Sequence, residues 1–155
     1  MIDPKEQKPK TSIHSILAHS YMAYFALFLL GLLLHTYFSI KIYNNNLVTF
    51  ISFLFLFFGT FLVLWAQHTS KKLDKSNITK ETFCQGPYCY VRMPTHLGLF
   101  ILMLGLGLLV NSLFIVLFSI VSFLINKFYF IKKEEDLLSS KYGSPYLEYK
   151  KSVRF

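Results

Sequence analysis

The feature that most constrains this chain is a set of long stretches that contain no charged residue. Between Lys10 and Lys41 there is no Asp, Glu, Lys or Arg. Within that interval, residues 19–40 match the roughly 20 apolar residues needed to cross a hydrocarbon layer about 30 Å thick. A second apolar run covers residues 47–67, after an Asn-rich turn. Each run therefore predicts a transmembrane helix.

A third charge-free stretch, from Met93 to Asn126, is too long for one crossing. As a single helix it would extend about 51 Å at a rise of ~1.5 Å per residue. Asn111-Ser112 lies near its middle and is typical of a turn. The stretch is therefore predicted to fold back as a hairpin of two helices, over residues 94–110 and 113–133, with Pro94 at the first helical position.

The distribution of Lys and Arg supports this hairpin and predicts the topology. Three precede the first helix, one lies in the first turn, five lie between positions 68 and 93, none lies at Asn111-Ser112 and seven follow from Lys127 onward. Because basic residues concentrate on the cytoplasmic side, both termini, the loop 68–93 and the tail 134–155 are predicted to be cytoplasmic. The predicted fold is an all-α, multi-pass membrane bundle of about four helices, forming a single domain over residues 1–155.

Composition agrees with this fold and excludes some classes of function. The chain is 54% hydrophobic and 18% aromatic, more than a water-soluble core requires. Its net charge of +8 does not indicate nucleic-acid binding, because most of the Phe residues lie in charge-free stretches rather than among Lys and Arg. No metal-ligand spacing is visible, and Cys84 and Cys89 are predicted to be free, reduced thiols.

Two polar clusters flank the predicted hairpin. One runs from Gly86 to Gly98 and the other from Glu134 to Tyr149. Taken singly, each has a simple explanation as a turn, a topology signal or a solvated charged face. Antiparallel neighbouring helices, however, must bring the start of one close to the end of the other. The clusters are therefore predicted to form a receptor with cationic and anionic groups about a helix diameter apart.

The run GPYCYVRMPTHLG resembles the signature of the isoprenylcysteine carboxyl methyltransferase and phospholipid methyltransferase superfamily, G-P-Y-x-Y-x-R-H-P-x-Y-x-G. The tail resembles the second half of that signature, with a Glu-Glu pair, a Leu, an aromatic-Gly step, two tyrosines three apart and a basic-aromatic end. These are Glu134, Glu135, Leu138, Tyr142-Gly143, Tyr146, Tyr149 and Arg154-Phe155. The resemblance covers about residues 83–155.

This resemblance implies an integral membrane methyltransferase that uses S-adenosylmethionine and acts on a lipid-like or prenylated acceptor. By resemblance, Arg92 pairs with the cofactor carboxylate, and Glu134 or Glu135 binds the ribose hydroxyls or the ammonium group. Tyrosines of both motifs would stack on adenine or face the sulfonium. The implied cofactor-binding residues are Gly86, Pro87, Tyr88, Tyr90, Arg92, Pro94, His96, Glu134, Glu135 and Tyr146.

The sequence departs from the superfamily pattern at two positions. Met93 stands where the pattern has His, and His96 stands where it has Tyr. Residues three apart at the start of a helix share one face, so His96 is hypothesised to restore the imidazole about one turn from its usual place. Arg92 and His96 are therefore the candidate catalytic residues.

The sequence does not select the methyl acceptor. A prenylated cysteine carboxylate, a phospholipid amine and another isoprenoid or lipid all remain open, and the acceptor is expected to arrive laterally from the bilayer. Two other functions are weighed: a membrane reductase of related architecture, disfavoured by the short chain, and a non-catalytic small membrane subunit.

Overall fold

The computed structural model describes residues 13–43, 45–71 and 78–153, and within them the chain is helical without a strand. The helices are α1 (Ile13–Phe38), α2 (Asn46–Lys71), α3 (Lys80–Phe83), α4 (Pro94–Leu109), α5 (Leu113–Ile125), α6 (Ile131–Tyr142) and α7 (Ser144–Ser152). A 3-10 turn covers Gly86–Cys89, and a π-helical segment, Asn126–Phe130, joins α5 to α6. The predicted cytoplasmic N-terminus and the Arg154-Phe155 end lie outside the described residues.

Three helical stretches are long and apolar enough to cross a membrane. They are Ser15–Phe38, Asn46–Lys71 and the continuous stretch Leu113–Tyr142 formed by α5, the π segment and α6. Helix α4 is apolar but has only 16 residues. Large side chains on α1 and α2 are exposed, as expected for helices that face lipid rather than water; examples are Met22, Phe25, Phe50, Phe53 and Phe57. The predicted all-α membrane bundle of about four helices is thus confirmed.

Helices α4 and α5 form the predicted hairpin. The chain reverses at Asn111, whose φ of 57° is left-handed, a conformation that Asn tolerates better than most residues. The Asn111 side chain also ties this turn to the segment after α1. Its Oδ1 accepts hydrogen bonds from the backbone N–H groups of Ile42 and Tyr43 at 2.8 and 3.1 Å, and its Nδ2 donates to the Tyr43 carbonyl at 2.8 Å.

The helix boundaries differ from the predicted ones mainly on the side of the polar clusters. The last spanning helix, predicted to end at residue 133, continues to Tyr142 and stops at Gly143, where φ is 61°. The predicted loop 68–93 begins inside α2, which continues to Lys71, and it contains α3 and the 3-10 turn. These helical turns satisfy backbone polar groups in a segment that lies against the bundle.

Glycines bring α2 and α4 into direct backbone contact. A Cβ atom added at Gly59 would lie 2.7 Å from the backbone nitrogen of Leu102, and one added at Gly98 would lie 2.7 Å from Val63 Cγ2. Gly105 also faces α2, so packing explains these glycines, as small residues commonly do in membrane helices. The α2–α4 contact is the most extensive in the fold.

The prediction of free thiols at Cys84 and Cys89 is wrong, because the two residues form a disulfide. The 3-10 turn that begins at Gly86 reverses the chain and brings the two Cα atoms to 4.4 Å. That separation lies within the range that a disulfide spans. The spacing of the two cysteines matches no redox or zinc motif and therefore did not indicate that they pair.

Candidate functional site

Four segments converge at the end of the bundle opposite the Asn111 turn. They are the 3-10 turn, the first turn of α4, the start of α6, and α7. Pro94 at the first position of α4 needs no hydrogen-bond donor there, and it starts a helix whose first three residues are all buried. Glu134 and Glu135 are buried on α6 at 8% and 9% exposure. Buried carboxylates require partners, and those partners define the site.

One group of partners is a network of three charges centred on Glu135. The Arg92 Nη1 donates to Glu135 Oε1 at 2.6 Å, and Lys150 Nζ lies 2.7 Å from Glu135 Oε2. Arg92 and Glu135 are 43 residues apart in sequence, so the hairpin brings them together. Two cations on one carboxylate leave this network with a net positive charge, which suits an anionic group of a ligand.

The second group is the pair His96 and Glu134. His96 is 2% exposed, and its Nε2 lies 3.5 Å from Glu134 Oε2. The distance permits an ion pair if the imidazole is protonated, but the alignment does not make a hydrogen bond. Among the described residues, the two ring nitrogens of His96 and the Oε2 atom of Glu134 have no hydrogen-bond partner. Such buried, unsatisfied polar atoms are uncommon and call for a reason.

Tyrosines from the 3-10 turn and α7 form one wall beside these groups. The Tyr149 hydroxyl donates to the Tyr88 carbonyl at 2.7 Å, which fixes the turn against α7. Tyr146 is 2% exposed, and within residues 13–43, 45–71 and 78–153 its hydroxyl has no hydrogen-bond partner. Burial raises the pKa of the Tyr146 phenol, and the negative charges of Glu135 and Glu134 raise it further. Tyr146 therefore stays a neutral donor.

Tyr88 is held in a similar environment. Burial raises the pKa of its phenol, and a hydrogen bond with Thr95 offsets part of that rise. Thr95 is itself buried in the first turn of α4. The ring of Tyr88 thus presents a neutral, partly buried face next to the carboxylates.

The structure does not bring every predicted residue to this centre. Tyr90 is 78% exposed and is therefore not part of the buried group. Gly86 has a φ of 54°, and a Cβ there would lie 2.7 Å from Thr69 Oγ1, so this glycine permits the turn to press against α2. Pro87 is buried in the same turn. Gly86 and Pro87 therefore shape the segment that carries Tyr88.

Three residues of the site were not predicted from the sequence. The ring of Tyr21 lies 6.4 Å from the His96 ring, and the Tyr24 hydroxyl donates to the His96 carbonyl at 3.3 Å. Lys150 completes the network around Glu135. The spacing of Tyr21 and Tyr24, three apart in a helix without charged residues, was a usable signal, because it places two hydroxyls on one face. Nothing in the sequence marked Lys150 as a site residue, because it is one of two adjacent lysines near the end of the chain.

A cavity of about 250 Å³ opens beside the charged groups, between the start of α4 and the α5 to α6 stretch. Its lining combines apolar and charged side chains: Val91, Arg92, Met93, His96, Leu97, Phe123, Lys127, Ile131, Lys132 and Glu135. Of the predicted cofactor residues, Arg92, His96 and Glu135 line it. A cavity that combines apolar side chains with convergent polar groups is typical of a small-molecule site.

Residues 25–145 match the phospholipid methyltransferase family, a region that includes the hairpin, the first polar cluster and the part of the second that contains Glu134 and Glu135. The chain belongs to the phospholipid methyltransferase family. This membership implies methyltransferase activity in general, a lipid substrate and a place in the membrane. Neither a curated protein nor a solved structure matches the chain.

Proposed function

We propose that this family member is an S-adenosylmethionine-dependent methyltransferase whose acceptor is a membrane lipid. The observation that carries the proposal is the pair His96 and Glu134, both buried with unsatisfied polar atoms, beside the Arg92–Glu135 ion pair. A protein that used these residues only for stability would gain little from leaving them without partners. A ligand that carries both charged groups and hydroxyls would supply hydrogen-bond partners to these buried atoms of His96 and Glu134.

The residues present fit the proposed cofactor. Arg92 offers a guanidinium to a carboxylate, and Lys150 can hold Glu135 while Arg92 engages the ligand. Glu134 Oε2 is a buried acceptor for an ammonium group or ribose hydroxyls. Tyr88 and Tyr146 present neutral aromatic faces suited to a purine or to a sulfonium cation. S-Adenosylmethionine, when bound, supplies a methyl group already activated for displacement.

The protein's own contribution is to orient the acceptor, exclude water and accept a proton. The burial of the first turn of α4 keeps water away from His96. Its Nε2 is the atom placed to take a proton from an amine acceptor, and Glu134, 3.5 Å away, stabilises the imidazolium that results. The hydrogen bond from Tyr24 to the His96 carbonyl anchors the backbone beneath the ring.

We also infer that the site faces the cytoplasm. Among the described residues, the basic side chains Lys71, Arg92 and Lys132 belong to segments at the end of the bundle where the site lies, and basic residues favour the cytoplasmic side. The cofactor would enter from that side, and the lipid acceptor would enter laterally from the bilayer.

Two measurements on the detergent-solubilised protein test the proposal. The first is binding of S-adenosylmethionine by calorimetry, and the second is transfer of a labelled methyl group from it into a total lipid extract, with identification of the labelled lipid. We expect saturable binding and one labelled lipid class. Binding without any transfer would favour the non-catalytic subunit. Absence of binding by protein with intact helicity would contradict the proposal.

A further inference from the structure

We propose that Cys84 and Cys89 form a redox switch that controls the affinity of the site for S-adenosylmethionine. The disulfide closes a loop that contains the 3-10 turn Gly86–Cys89, and it therefore fixes the position of Tyr88, a candidate cofactor residue. Reduction by a dithiol releases this turn and weakens cofactor binding. The effect on affinity rests on the proposed function, whereas the effect on the turn does not.

The turn has little local structure that could hold it closed without the disulfide. It is one short 3-10 segment, and Gly86 at its start has a left-handed φ of 54°. The Tyr88 N–H donates to the Gln85 carbonyl at 3.1 Å. The Val91 N–H donates to the Pro87 carbonyl at 3.0 Å. Because isolated helical turns of this length are unstable in water, we expect the covalent link to be needed to keep the turn closed.

The residue before Cys84 is held in place independently of the disulfide. The Phe83 ring packs against Tyr142 of α6 and Tyr146 of α7, with ring centroids 5.3 and 5.4 Å away. Cys89, in contrast, is the last residue of the 3-10 turn. The disulfide therefore ties the turn to a fixed segment, and breaking the S–S bond frees the turn rather than that segment.

Tyr88 connects the turn to the functional site. Its backbone carbonyl accepts a hydrogen bond from the Tyr149 hydroxyl at 2.7 Å, and its side chain hydrogen-bonds with Thr95 in the first turn of α4. The charge of Glu134 also acts on the Tyr88 phenol. Since these contacts form in the closed turn, we expect reduction to affect the cofactor in the same way as removal of the Tyr88 ring.

The cysteine pair is accessible and has no competing cysteine. Both residues are partly exposed, which gives a thiolate access to the bond. The sequence contains two cysteines in all, so the reduced chain cannot form a different internal disulfide. In the cytoplasm, the side that we infer for this site, disulfides are usually transient and redox-sensing. These properties suit a pair that changes between two states.

The switching step is thiol–disulfide exchange with a dithiol. A thiolate of the dithiol attacks one sulfur of the pair, the S–S bond breaks, and the other cysteine leaves as a thiolate that takes up a proton. The second thiol of the reductant loses its proton and attacks the mixed disulfide, which expels the remaining cysteine as a thiolate that is protonated in turn. Cys84 and Cys89 gain two electrons and two protons, and the dithiol becomes a disulfide. Oxidation is the reverse reaction, with a disulfide as the electron acceptor.

The test is calorimetric binding of S-adenosylmethionine to the full chain in detergent, before and after reduction with dithiothreitol. Alkylation and mass spectrometry count the free thiols in each sample. We expect the reduced protein to bind about fivefold more weakly, and reoxidation with oxidised glutathione to restore the affinity. The double variant Cys84→Ser with Cys89→Ser should bind like the reduced protein, with or without dithiothreitol. Equal affinity of the two redox forms, or a double variant that binds as tightly as the oxidised protein, would overturn the proposal.

The Tyr88→Ala variant tests the route from the disulfide to the cofactor. Reduction should change the affinity of this variant by less than about 1.5-fold, because both changes act through the same ring and are therefore not additive. A full fivefold loss on reduction of Tyr88→Ala would show that the disulfide does not act through Tyr88, contrary to the proposal.

Amide hydrogen exchange of the unliganded protein separates the switch from the proposed function. Reduction should speed exchange of the Tyr88 and Val91 amides, which donate hydrogen bonds within the turn, by about tenfold. The Val110 amide, bonded to the Leu106 carbonyl at the other end of α4, is the control and should not change. If neither redox form binds S-adenosylmethionine, the proposed function is contradicted and the exchange rates decide the switch. Unchanged exchange in the turn, or a pair that stays oxidised in a large excess of reduced glutathione, would contradict the switch only.

Discussion

The two ends of the α4–α5 hairpin contain polar groups that are treated in opposite ways. At the turn, the Asn111 amide uses both its oxygen and its nitrogen in hydrogen bonds to the backbone of Ile42 and Tyr43. At the other end, His96 and Glu134 are buried with polar atoms that have no hydrogen-bond partner in the part of the chain that is described. A satisfied polar group contributes to the stability of the fold, whereas an unsatisfied one calls for an explanation, of which a ligand is one.

The largest effect is expected from His96→Ala, which tests whether the unsatisfied end performs chemistry. We expect kcat/KM for methyl transfer to fall by about 100-fold or more, the scale of general acid–base catalysis, with helicity retained. His68→Ala is the matched control, because it removes an exposed imidazole at the end of α2. If His96→Ala kept full turnover and cofactor affinity, His96 would have no part in the reaction.

The next largest effect is expected from Asn111→Gly, which tests the end of the hairpin where the polar side chain is fully hydrogen-bonded. Glycine accepts the left-handed φ, so this substitution removes the three side-chain hydrogen bonds and leaves the turn conformation unstrained. We expect a loss of about 2 kcal/mol in the free energy of unfolding. Chemical denaturation in detergent measures it. Cofactor affinity should stay unchanged, and a parallel loss of cofactor binding would show that the two ends are not separable.

A smaller effect should follow from Glu135→Gln, which removes the charge between Arg92 and Lys150. We expect roughly tenfold weaker binding of S-adenosylmethionine, because the neutral amide no longer orients the Arg92 guanidinium as the Glu135 carboxylate does. Calorimetry measures it, and the exposed Glu148→Gln on α7 is the control. Tighter binding in Glu135→Gln would mean that Glu135 competes with the ligand for Arg92, and would reverse the role proposed for it.

The smallest effect separates two tyrosines of one motif. Tyr90→Ala should change cofactor affinity by less than about twofold, because the side chain is 78% exposed. Tyr88→Ala should weaken it severalfold, since that ring is partly buried near Glu134. Equal effects of the two substitutions would show that exposure in the free protein does not decide which tyrosine contacts the cofactor.

Much of this fold follows from simple properties of the sequence. Charge-free length predicts the spanning helices, and the absence of charge around Asn111 predicts the hairpin, because a polar group inside a bilayer is costly. The hairpin in turn predicts that Arg92 and His96 meet Glu134 and Glu135, which lie about 40 residues away. Each of these steps depends on regular geometry.

The features that escaped prediction depend on local departures from regular geometry. The π-helical segment shifts the register of the last helix, and no residue pattern in it signals an i to i+5 hydrogen bond. The 3-10 turn that joins Cys84 to Cys89 is equally specific. Tyr24 and Lys150 reach the site from opposite ends of the chain, and such contacts depend on how the helices pack rather than on any one of them.

The glycine contacts between α2 and α4 have a mechanical consequence for the cavity. The backbones of α2 and α4 touch at Gly59 and Gly98, so the two helices cannot slide or separate without losing their packing and are expected to behave as one rigid unit. The start of α4 lines one side of the cavity, and the stretch from Phe123 to Ile131 lines the other. Only the second wall carries a π-helical segment, a weaker helical geometry. Widening of the cavity is therefore expected to occur at the stretch from Phe123 to Ile131 rather than between α2 and α4.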